Sequence, residues 1–183
     1  MKALHVFTLQ SPDNAFVGPI RVALHLAHEL LTLNVQVELL GGCNGYEVVP
    51  SKLEEIPANL FPVRQIHQKL GFSGFISSKL LSWAWKNVRK FDVVHIHMAR
   101  DLITLLVAEI CRLRKVPYVI QGHGMIDPTT KLAGRILDAL LVKRVLRGAD
   151  RLLYLTEQEK QDYPAVVGTS INNLTFLPNG VPA

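Results

Sequence analysis

The chain alternates short apolar runs with longer amphipathic segments of helical periodicity. The short runs are rich in β-branched and other apolar residues, which is typical of strands buried on both faces of a parallel sheet. The predicted strands are residues 2–9, 35–40, 61–66, 93–97, 118–121, 151–155 and 174–177. Residues 41–58 combine glycine, proline and charge with little periodicity, and we predict a loop there with a short edge strand at 46–49. The pattern predicts an α/β fold, with a Rossmann-like open parallel sheet and helices on both of its faces.

Four helices between these strands carry boundary signals. Gly18 and Pro19 suit the first turn of one helix, and Asp101 can cap the next. Gly148 lies just beyond a third helix, and Thr156 opens a fourth through a capping-box sequence. The predicted spans are 19–33, 101–114 and 132–147, and the fourth helix starts directly after the strand at 151–155.

A further amphipathic helix is predicted from Gly74 to Lys90. Trp85 falls on its exposed face among basic side chains. An indole beside cations suits a lipid headgroup region, so this face is a candidate for peripheral membrane contact. The alternative is that Trp85 packs beneath a neighbouring loop, because large aromatic side chains are highly buried on average.

Composition narrows the function classes. With 183 residues and 49% hydrophobic content, the chain can bury the core of one domain. The 20 basic residues against 15 acidic residues leave a net charge of +5, a mild bias that argues against a nucleic-acid partner. Cys43 and Cys111 form neither a disulfide framework nor a CxxC motif. No segment approaches the roughly 20 apolar residues of a membrane-spanning helix. We therefore expect a cytoplasmic protein whose membrane contact is peripheral and at the inner face.

Candidate chemistry lies in the loops that leave the strands, because open parallel sheets bind ligands at the carboxyl ends of their strands. The polar loop 10–19 runs into the helix start at Gly18, whose free backbone N–H groups suit a phosphate or carboxylate. A plain capped connection explains this loop equally well. Thr156 and Glu157 follow the strand at 151–155 and offer a hydroxyl and a carboxylate to sugar hydroxyls, although helix capping also accounts for both.

Two histidines share one face of the strand at 93–97. The period of two puts the imidazoles of His95 and His97 side by side, with Arg100 just beyond the strand end. A metal site needs a third and usually a fourth ligand, and His123 is the obvious companion. We predict no metal here: His95 is expected to be a hydrogen-bonded core residue and His97 to face the cleft.

The sequence Gly122-His123-Gly124 follows the strand at 118–121 and is the most specific candidate site. The two glycines allow a sharp turn and a close ligand approach, and the imidazole can donate, accept or titrate near neutral pH. An ordinary glycine turn that carries a histidine is the alternative. The chain has no GxGxxG after its first strand and no GxxxxGK(S/T), so it shows no complete nucleotide site of its own.

Five segments, in order along the chain, carry a family resemblance. They are the opening strand with its loop and Gly18 helix, then Asp92-Val93-Val94-His95-Ile96-His97, Pro117-Tyr118-Val119-Ile120-Gln121-Gly122-His123-Gly124, Ala149-Asp150 before the strand at 151–155, and Leu177-Pro178-Asn179-Gly180-Val181. Together they resemble the N-terminal half of a retaining glycosyltransferase of the large group 1 class, family four, which has the GT-B architecture of two facing Rossmann-like domains. The resemblance covers essentially the whole chain.

The resemblance implies a division of labour between two domains. Residues 1–177 would form an acceptor-binding domain and residues 178–183 the start of an interdomain linker, while a C-terminal domain outside this chain would grip the donor. The implied donor is a nucleotide-diphosphate sugar, with no further cofactor, and the acceptor is a sugar or lipid-linked molecule of polysaccharide biosynthesis. Hexosyl transfer would need both domains, so this chain alone would be inactive.

The resemblance also assigns roles to residues. It implies a position near the donor phosphates for Gly18. It implies a position near the reacting sugar for His123, whose imidazole would place hydroxyls rather than act as a strong base. The remaining candidate substrate-binding residues are His97, Arg100, Gly122, Gly124, Thr156 and Glu157.

Two other functions fit the sequence. One is a free-standing Rossmann-like module that holds a small anion between the Gly18 helix start and Arg100. The other is a metal-dependent hydrolase that uses His95, His97 and His123.

Overall fold

The computed structural model of the protein describes residues 1–13, 17–130 and 132–178. Its strands are β1 (Lys2–Gln10), β2 (Gln36–Cys43), β3 (Lys52–Leu53), β4 (Ile56–Pro62), β5 (Arg64–Gln65), β6 (Phe75–Ile76), β7 (Val93–His97), β8 (Tyr118–Gln121), β9 (Arg151–Tyr154) and β10 (Leu174–Phe176). Its α-helices are α1 (Val17–Thr32), α2 (Ser78–Asn87), α3 (Leu102–Arg114), α4 (Leu132–Leu137), α5 (Lys143–Gly148) and α6 (Glu157–Val167). Two 3₁₀ segments, Gln68–Gly74 and Val88–Lys90, and a π-helical turn, Asp138–Val142, are also present.

Eight strands form one sheet in the order β10-β9-β8-β7-β1-β2-β4-β3, and β5 pairs with β6 separately. Every neighbouring pair in the large sheet is parallel except β3 with β4 at one edge. The chain moves outward from β1 to β2 and β4, then returns to β7 on the other side of β1. The strand order therefore reverses at β1, which is the switch point of a doubly wound sheet. The predicted Rossmann-like α/β fold is confirmed.

Helices cover both faces of this sheet. α1 packs on one face, in a buried apolar cluster that includes Ala3 and Phe7. α2, α3, α5 and α6 contribute to a second cluster on the other face, which includes Leu4 and Val6. Because successive strand residues alternate between faces, His5 lies on the α1 face between Ala3 and Phe7. No helix among the described residues combines the length and apolar character needed to cross a membrane.

The third predicted strand is wrong in position. The structure has β4 at Ile56–Pro62, whereas the apolar pattern predicts a strand at 61–66. Pro57 and Pro62 hide β4 from the pattern, because proline lacks the N–H group that a sheet interior requires. Residues 46–49 are not a strand either, and the edge strand is β3, which pairs antiparallel with β4.

The predicted helix from Gly74 to Lys90 is shorter in the structure. Residues 75–76 form β6, and the Ser77 hydroxyl caps α2 by accepting a hydrogen bond from the Leu80 N–H at 3.5 Å. The helix predicted at 132–147 is present, but the π-helical turn interrupts it. Most of the predicted linker, residues 179–183, lies outside the described residues, as do residues 14–16 of the first polar loop.

Candidate active site

Strands β1, β7 and β8 bring four histidines together at the switch point. Parallel pairing sets His5 beside His95, and His97 beside Gln121. Paired residues on neighbouring strands point to the same face of a sheet. β1 therefore adds a third imidazole to the two predicted on β7, and His123 follows directly after β8.

The four imidazoles form a continuous row. The ring centroids of His95 and His97 are 4.3 Å apart with an interplanar angle of 15°, and those of His97 and His123 are 5.2 Å apart at 19°. Nδ1 of His5 lies 3.1 Å from Nε2 of His97, and Nδ1 of His97 lies 2.9 Å from Nε2 of His123. Both are hydrogen-bond distances. A hydrogen-bonded chain thus runs from His5 in the core, through His97, to His123 in the loop.

The row is uncharged near neutral pH. Burial lowers the pKa of His5 to about 4 and the pKa of His123 to about 4. Burial first, and the neighbouring histidines second, hold the pKa values of His95 and His97 well below 6.5. His97 is only 1% exposed, so the expectation that it faces an open cleft is wrong. It contacts the loop through His123.

Three of these histidines, His5, His95 and His97, are of a residue type that commonly binds metal ions and lie close together. One ligand atom each from His5, His95 and His97 lies within 4.8 Å of the others, so His5, rather than the predicted His123, completes the compact group. Tetrahedral ligation requires the lone pairs, which lie in the ring planes, to converge on one point. The rings of His95 and His97 are instead nearly parallel. Their lone pairs lie in neighbouring planes, and the arrangement favours stacking and hydrogen bonding over metal ligation.

His123 lies in a tight turn with unusual backbone angles. His123 and Gly124 have φ angles of +51° and +72°, and the Met125 N–H donates to the Gly122 carbonyl at 2.9 Å. Two successive positive φ angles are the signature of a type I′ turn. The left-handed region costs a residue with a Cβ atom about 1–2 kcal/mol. The surrounding structure must therefore hold His123 in this conformation.

Two buried side chains of α6 supply that support. The Glu159 carboxylate accepts hydrogen bonds from the Gly124 N–H at 2.9 Å and from the Leu155 N–H at 2.7 Å. The Tyr163 hydroxyl accepts one from the Gly122 N–H at 2.9 Å. A Cβ atom on Gly122 would lie 2.6 Å from that hydroxyl, so the close approach of Tyr163 requires glycine here. The turn is fixed to α6 at both of its glycines.

Sequence reasoning missed the role of Glu159 and Tyr163. The capping-box pattern predicts only that Glu159 reaches back to the start of α6. The Thr156 hydroxyl does accept a hydrogen bond from the Glu159 N–H at 3.2 Å, but the Glu159 carboxylate binds the His123 turn as well. The available signal is the spacing of four residues between Glu159 and Tyr163, which places both on one face of a helix.

Two of the predicted site residues, Thr156 and Glu157, have local structural roles, whereas Gly18 has open space beside it. Thr156 is the N-cap of α6, and the exposed Glu157 carboxylate pairs with Lys160 at 3.1 Å. Gly18 is exposed near the start of α1, and a Cβ atom there would meet nothing within 4 Å. Contact of these residues with a substrate stays a prediction.

Arg100 lines a cleft of mixed polar and apolar character and is already paired. Its guanidinium lies 2.9 Å from a carboxylate oxygen of Asp127 and 2.9 Å from one of Asp138, and it also donates to the Asp127 carbonyl. Burial alone would lower the pKa of Arg100, but the two carboxylates outweigh burial and raise it. Because two carboxylates neutralise this cation, the structure disfavours a small-anion module built on Arg100.

Asp101 joins the end of β1 to the start of α3. Its buried carboxylate accepts hydrogen bonds from the N–H groups of Ile103 at 2.9 Å and Thr104 at 3.0 Å, as an N-cap does. It also accepts one from the Thr8 hydroxyl at 2.9 Å. Burial raises the pKa of Asp101, while these hydrogen bonds act in the opposite direction. The predicted cap is confirmed.

Comparisons with known proteins agree with this architecture. The family described as the glycosyl transferase 4-like domain matches residues 17–180. No curated protein matches the sequence significantly. Similar solved structures include MurG from Acinetobacter baumannii (TM-score 0.57, 16% identity, covering 87% of this chain and 42% of that chain). UDP-GlcNAc 2-epimerase from Methanocaldococcus jannaschii is also similar, with a TM-score of 0.61 and 16% identity over 98% of this chain and 46% of that chain. Sucrose-phosphate synthase from Thermosynechococcus elongatus has a TM-score of 0.56 and 11% identity over 98% of this chain and 90% of that chain.

These similarities establish family and fold. The chain spans less than half the length of the MurG and epimerase chains, and at these identities the likeness to solved structures concerns the fold alone. The family match, in contrast, extends over nearly the whole sequence. The chain therefore belongs to the glycosyl transferase 4-like domain family and is a glycosyltransferase-type domain with a Rossmann-like fold.

Proposed function

We propose that this chain is the acceptor-binding N-terminal domain of a nucleotide-sugar-dependent retaining glycosyltransferase, and that it is inactive alone. Family membership supports sugar transfer, and the partial coverage of the MurG and epimerase chains supports a second domain. The observation that carries the proposal is the strained His123 turn, which two buried side chains fix at the switch point of the sheet. Ligands of doubly wound sheets bind at this point.

His123 is proposed to touch the reacting sugar through a neutral imidazole. Burial lowers its pKa to about 4, which makes it a weak base at neutral pH. A neutral imidazole can still orient a sugar hydroxyl and stabilise developing charge by hydrogen bonding. Retention would then rest on placement: the nucleoside diphosphate leaves from the face that the acceptor attacks, inside a crevice closed by both domains.

The acceptor is proposed to bind in the cleft lined by Arg100, which has a volume of about 660 Å³. Hydroxyl and carboxylate groups of the lining complement the hydroxyls of a sugar, and apolar side chains suit the hydrophobic face of its ring. The ion pairs of Arg100 with Asp127 and Asp138 fix one wall of this cleft. The lining residues with these properties include Ser73, Asp127, Thr130, Leu102 and Leu137.

The donor, a nucleotide-diphosphate sugar, is proposed to meet this chain near Gly18. The 16-residue helix α1 begins at Val17, and the positive end of its dipole favours phosphate oxygens. Most of the contacts with the nucleotide are assigned to the second domain, because this sequence has no nucleotide-binding glycine motif.

The His123→Ala substitution tests the proposal. In the natural polypeptide that contains this chain, we expect kcat for sugar transfer to fall about 10²-fold, as for loss of one donor to developing charge. The matched control is His25→Ala, which removes an exposed imidazole of α1 and should leave kcat unchanged. An unaltered kcat for His123→Ala would refute the assigned role, and robust transfer by the 183-residue chain alone would refute the division of labour.

We also propose that α2 makes peripheral contact with an anionic membrane. Trp85 is 46% exposed, and the Arg114 guanidinium lies 4.9 Å from its ring centroid. Lys86 and Arg89 extend this basic aromatic surface. An amphipathic surface of this kind suits a negatively charged lipid interface.

Vesicle sedimentation tests the membrane contact. We expect Trp85→Ala combined with Lys86→Glu and Arg89→Glu to reduce cosedimentation with vesicles containing phosphatidylglycerol several-fold. Neutral phosphatidylcholine vesicles provide the baseline. The control variant carries Leu132→Ser and Ile136→Ser, which alter a separate exposed apolar surface on α4. Unchanged binding by the α2 variant, or loss only in the α4 variant, would contradict the proposed contact.

A further inference from the structure

The row of imidazoles contains a hydrogen-bonded chain whose proton positions depend on one another. The two bonds join Nδ1 of His5 to Nε2 of His97, and Nδ1 of His97 to Nε2 of His123. A neutral imidazole has one N–H donor and one acceptor nitrogen. His97 therefore donates at one end and accepts at the other, so both bonds point in the same direction along the chain.

We propose that His5 and His97 are positioning residues that hold His123 in the Nδ1–H tautomer, so that its remaining nitrogen presents a hydrogen-bond donor to the substrate. In this direction His5 donates to His97, and His97 donates to Nε2 of His123. The inference rests on the proposed contact between His123 and the substrate. It adds that His123 is the hydrogen-bond donor in that contact.

The buried end of the chain determines the direction. Nε2 of His5 is buried and has no hydrogen-bond partner among the described residues. If the chain ran the other way, that nitrogen would carry a buried N–H group without an acceptor. Orphaned N–H donors are rarer in proteins than under-satisfied acceptors, and each costs about 1–3 kcal/mol. If Nε2 of His5 is unprotonated, this cost is avoided. Each histidine of the chain then carries its proton on Nδ1, so that His5 donates to His97 and His97 donates to His123.

The tautomer selects the kind of substrate atom that His123 can bind. Nδ1–H of His123 matches an oxygen that accepts, such as a sugar hydroxyl lone pair or an oxygen that gains negative charge. It does not match the proton of an attacking hydroxyl, so His123 would stabilise charge without taking up a proton. The low pKa values of all four imidazoles keep the chain neutral at pH 7.

His95 provides a matched control inside the same row. Its ring stacks on His97 at 4.3 Å and lies 4.8 Å from the ring of His5, but it forms neither of the two bonds of the chain. Replacing it with another flat ring keeps the stacking and leaves the proton positions unchanged.

Nitrogen NMR of the folded 183-residue chain, labelled with ¹⁵N-histidine, tests the inference without any substrate. Two-bond ¹H–¹⁵N correlation spectra at pH 7 distinguish protonated from unprotonated ring nitrogens. We expect His123 to show a protonated Nδ1 and an unprotonated Nε2. His97→Leu should shift both His123 nitrogens toward the averaged values of a tautomer mixture. His97→Asn, whose amide N–H can replace Nδ1–H, should restore the original values, and His95→Phe should not move them.

A protonated Nε2 on His123 in the unaltered chain would overturn the proposal, as would stoichiometric metal found in it by elemental analysis. Because the unaltered chain decides the direction, the test survives a variant that fails to fold. Its result is also separate from the proposed function: if His123→Ala leaves kcat unchanged while the unaltered chain gives the expected spectrum, the substrate contact is refuted and the proton chain remains.

Discussion

The buried histidines make the stability of the domain depend on pH. The pKa of His5 is about 4 in the folded chain and 6.5 in the reference state, so between these values the unfolded chain binds a proton that the folded chain excludes. The free energy of unfolding therefore falls as pH falls from about 6.5 toward 4, by up to about 1.4 kcal/mol per pH unit for such a histidine. Above about pH 6.5 the contribution of His5 is fully present.

Urea denaturation between pH 4.5 and 7.5 measures this dependence. We expect the midpoint to drop on acidification, and the drop to be shallower in a His5→Gln variant, which lacks one of the excluded protons. Equal slopes in the two proteins would show that His5 does not exclude a proton on folding.

The sequence could predict some residues of the site and not others. His95, His97 and His123 stand out because two share a strand face and one lies between glycines. His5 gives no such signal: it is one polar residue in an apolar strand, and only the pairing of β1 with β7 sets it beside His95. Glu159 is likewise hidden, since local capping accounts for it until the His123 turn is in place. Both the position of His5 beside His95 and the contact of Glu159 with the His123 turn depend on segments that are distant in sequence. The pattern of a single sequence does not show which distant segments pair.

At the scale of elements, α3 depends on its cap. Asp101→Ala removes the acceptor for the N–H groups of Ile103 and Thr104 and for the Thr8 hydroxyl, all in a buried place. We expect it to lower the free energy of unfolding by about 2 kcal/mol, the upper range for N-caps. Asp101→Asn should cost less, because asparagine is also a favoured N-cap.

Urea denaturation at pH 7 measures these losses. Ser77→Ala is the comparison, because Ser77 caps α2 through one long hydrogen bond of 3.5 Å, and it should cost less than Asp101→Ala. An unchanged free energy of unfolding in Asp101→Ala would show that the capping contacts of Asp101 do not stabilise the fold.

Elements with a single strong signal are predicted best. β7 and β8 match their predicted spans, since each is a short apolar run with a clear end. The prediction for β4 is wrong because its two prolines suggest a loop. Pairing with β2 and the burial of Ile56 nevertheless make this segment a strand. The helix predicted from Gly74 fails at its start, where β6 pairs with β5. Tertiary pairing overrides local pattern in both cases.

At the scale of the molecule, the proposed function makes this domain one wall of a crevice between two domains. We expect the chain alone to bind a nucleotide sugar too weakly for a stoichiometric endpoint in isothermal titration, because the proposed phosphate contact is a single helix start. The natural polypeptide that contains this chain should bind the same compound with a defined stoichiometry. Tight one-to-one binding by the isolated chain would contradict the division between acceptor and donor domains.

The π-helical turn between α4 and α5 has an evolutionary consequence. It adds one residue to the helix, with the Lys143 N–H donating to the Asp138 carbonyl five positions back. With α5 anchored by Val145 and Leu146, deleting that residue would rotate Asp138 by about 100° and carry its carboxylate away from Arg100. Relatives that are one residue shorter in this helix should therefore lack the Arg100–Asp138 ion pair.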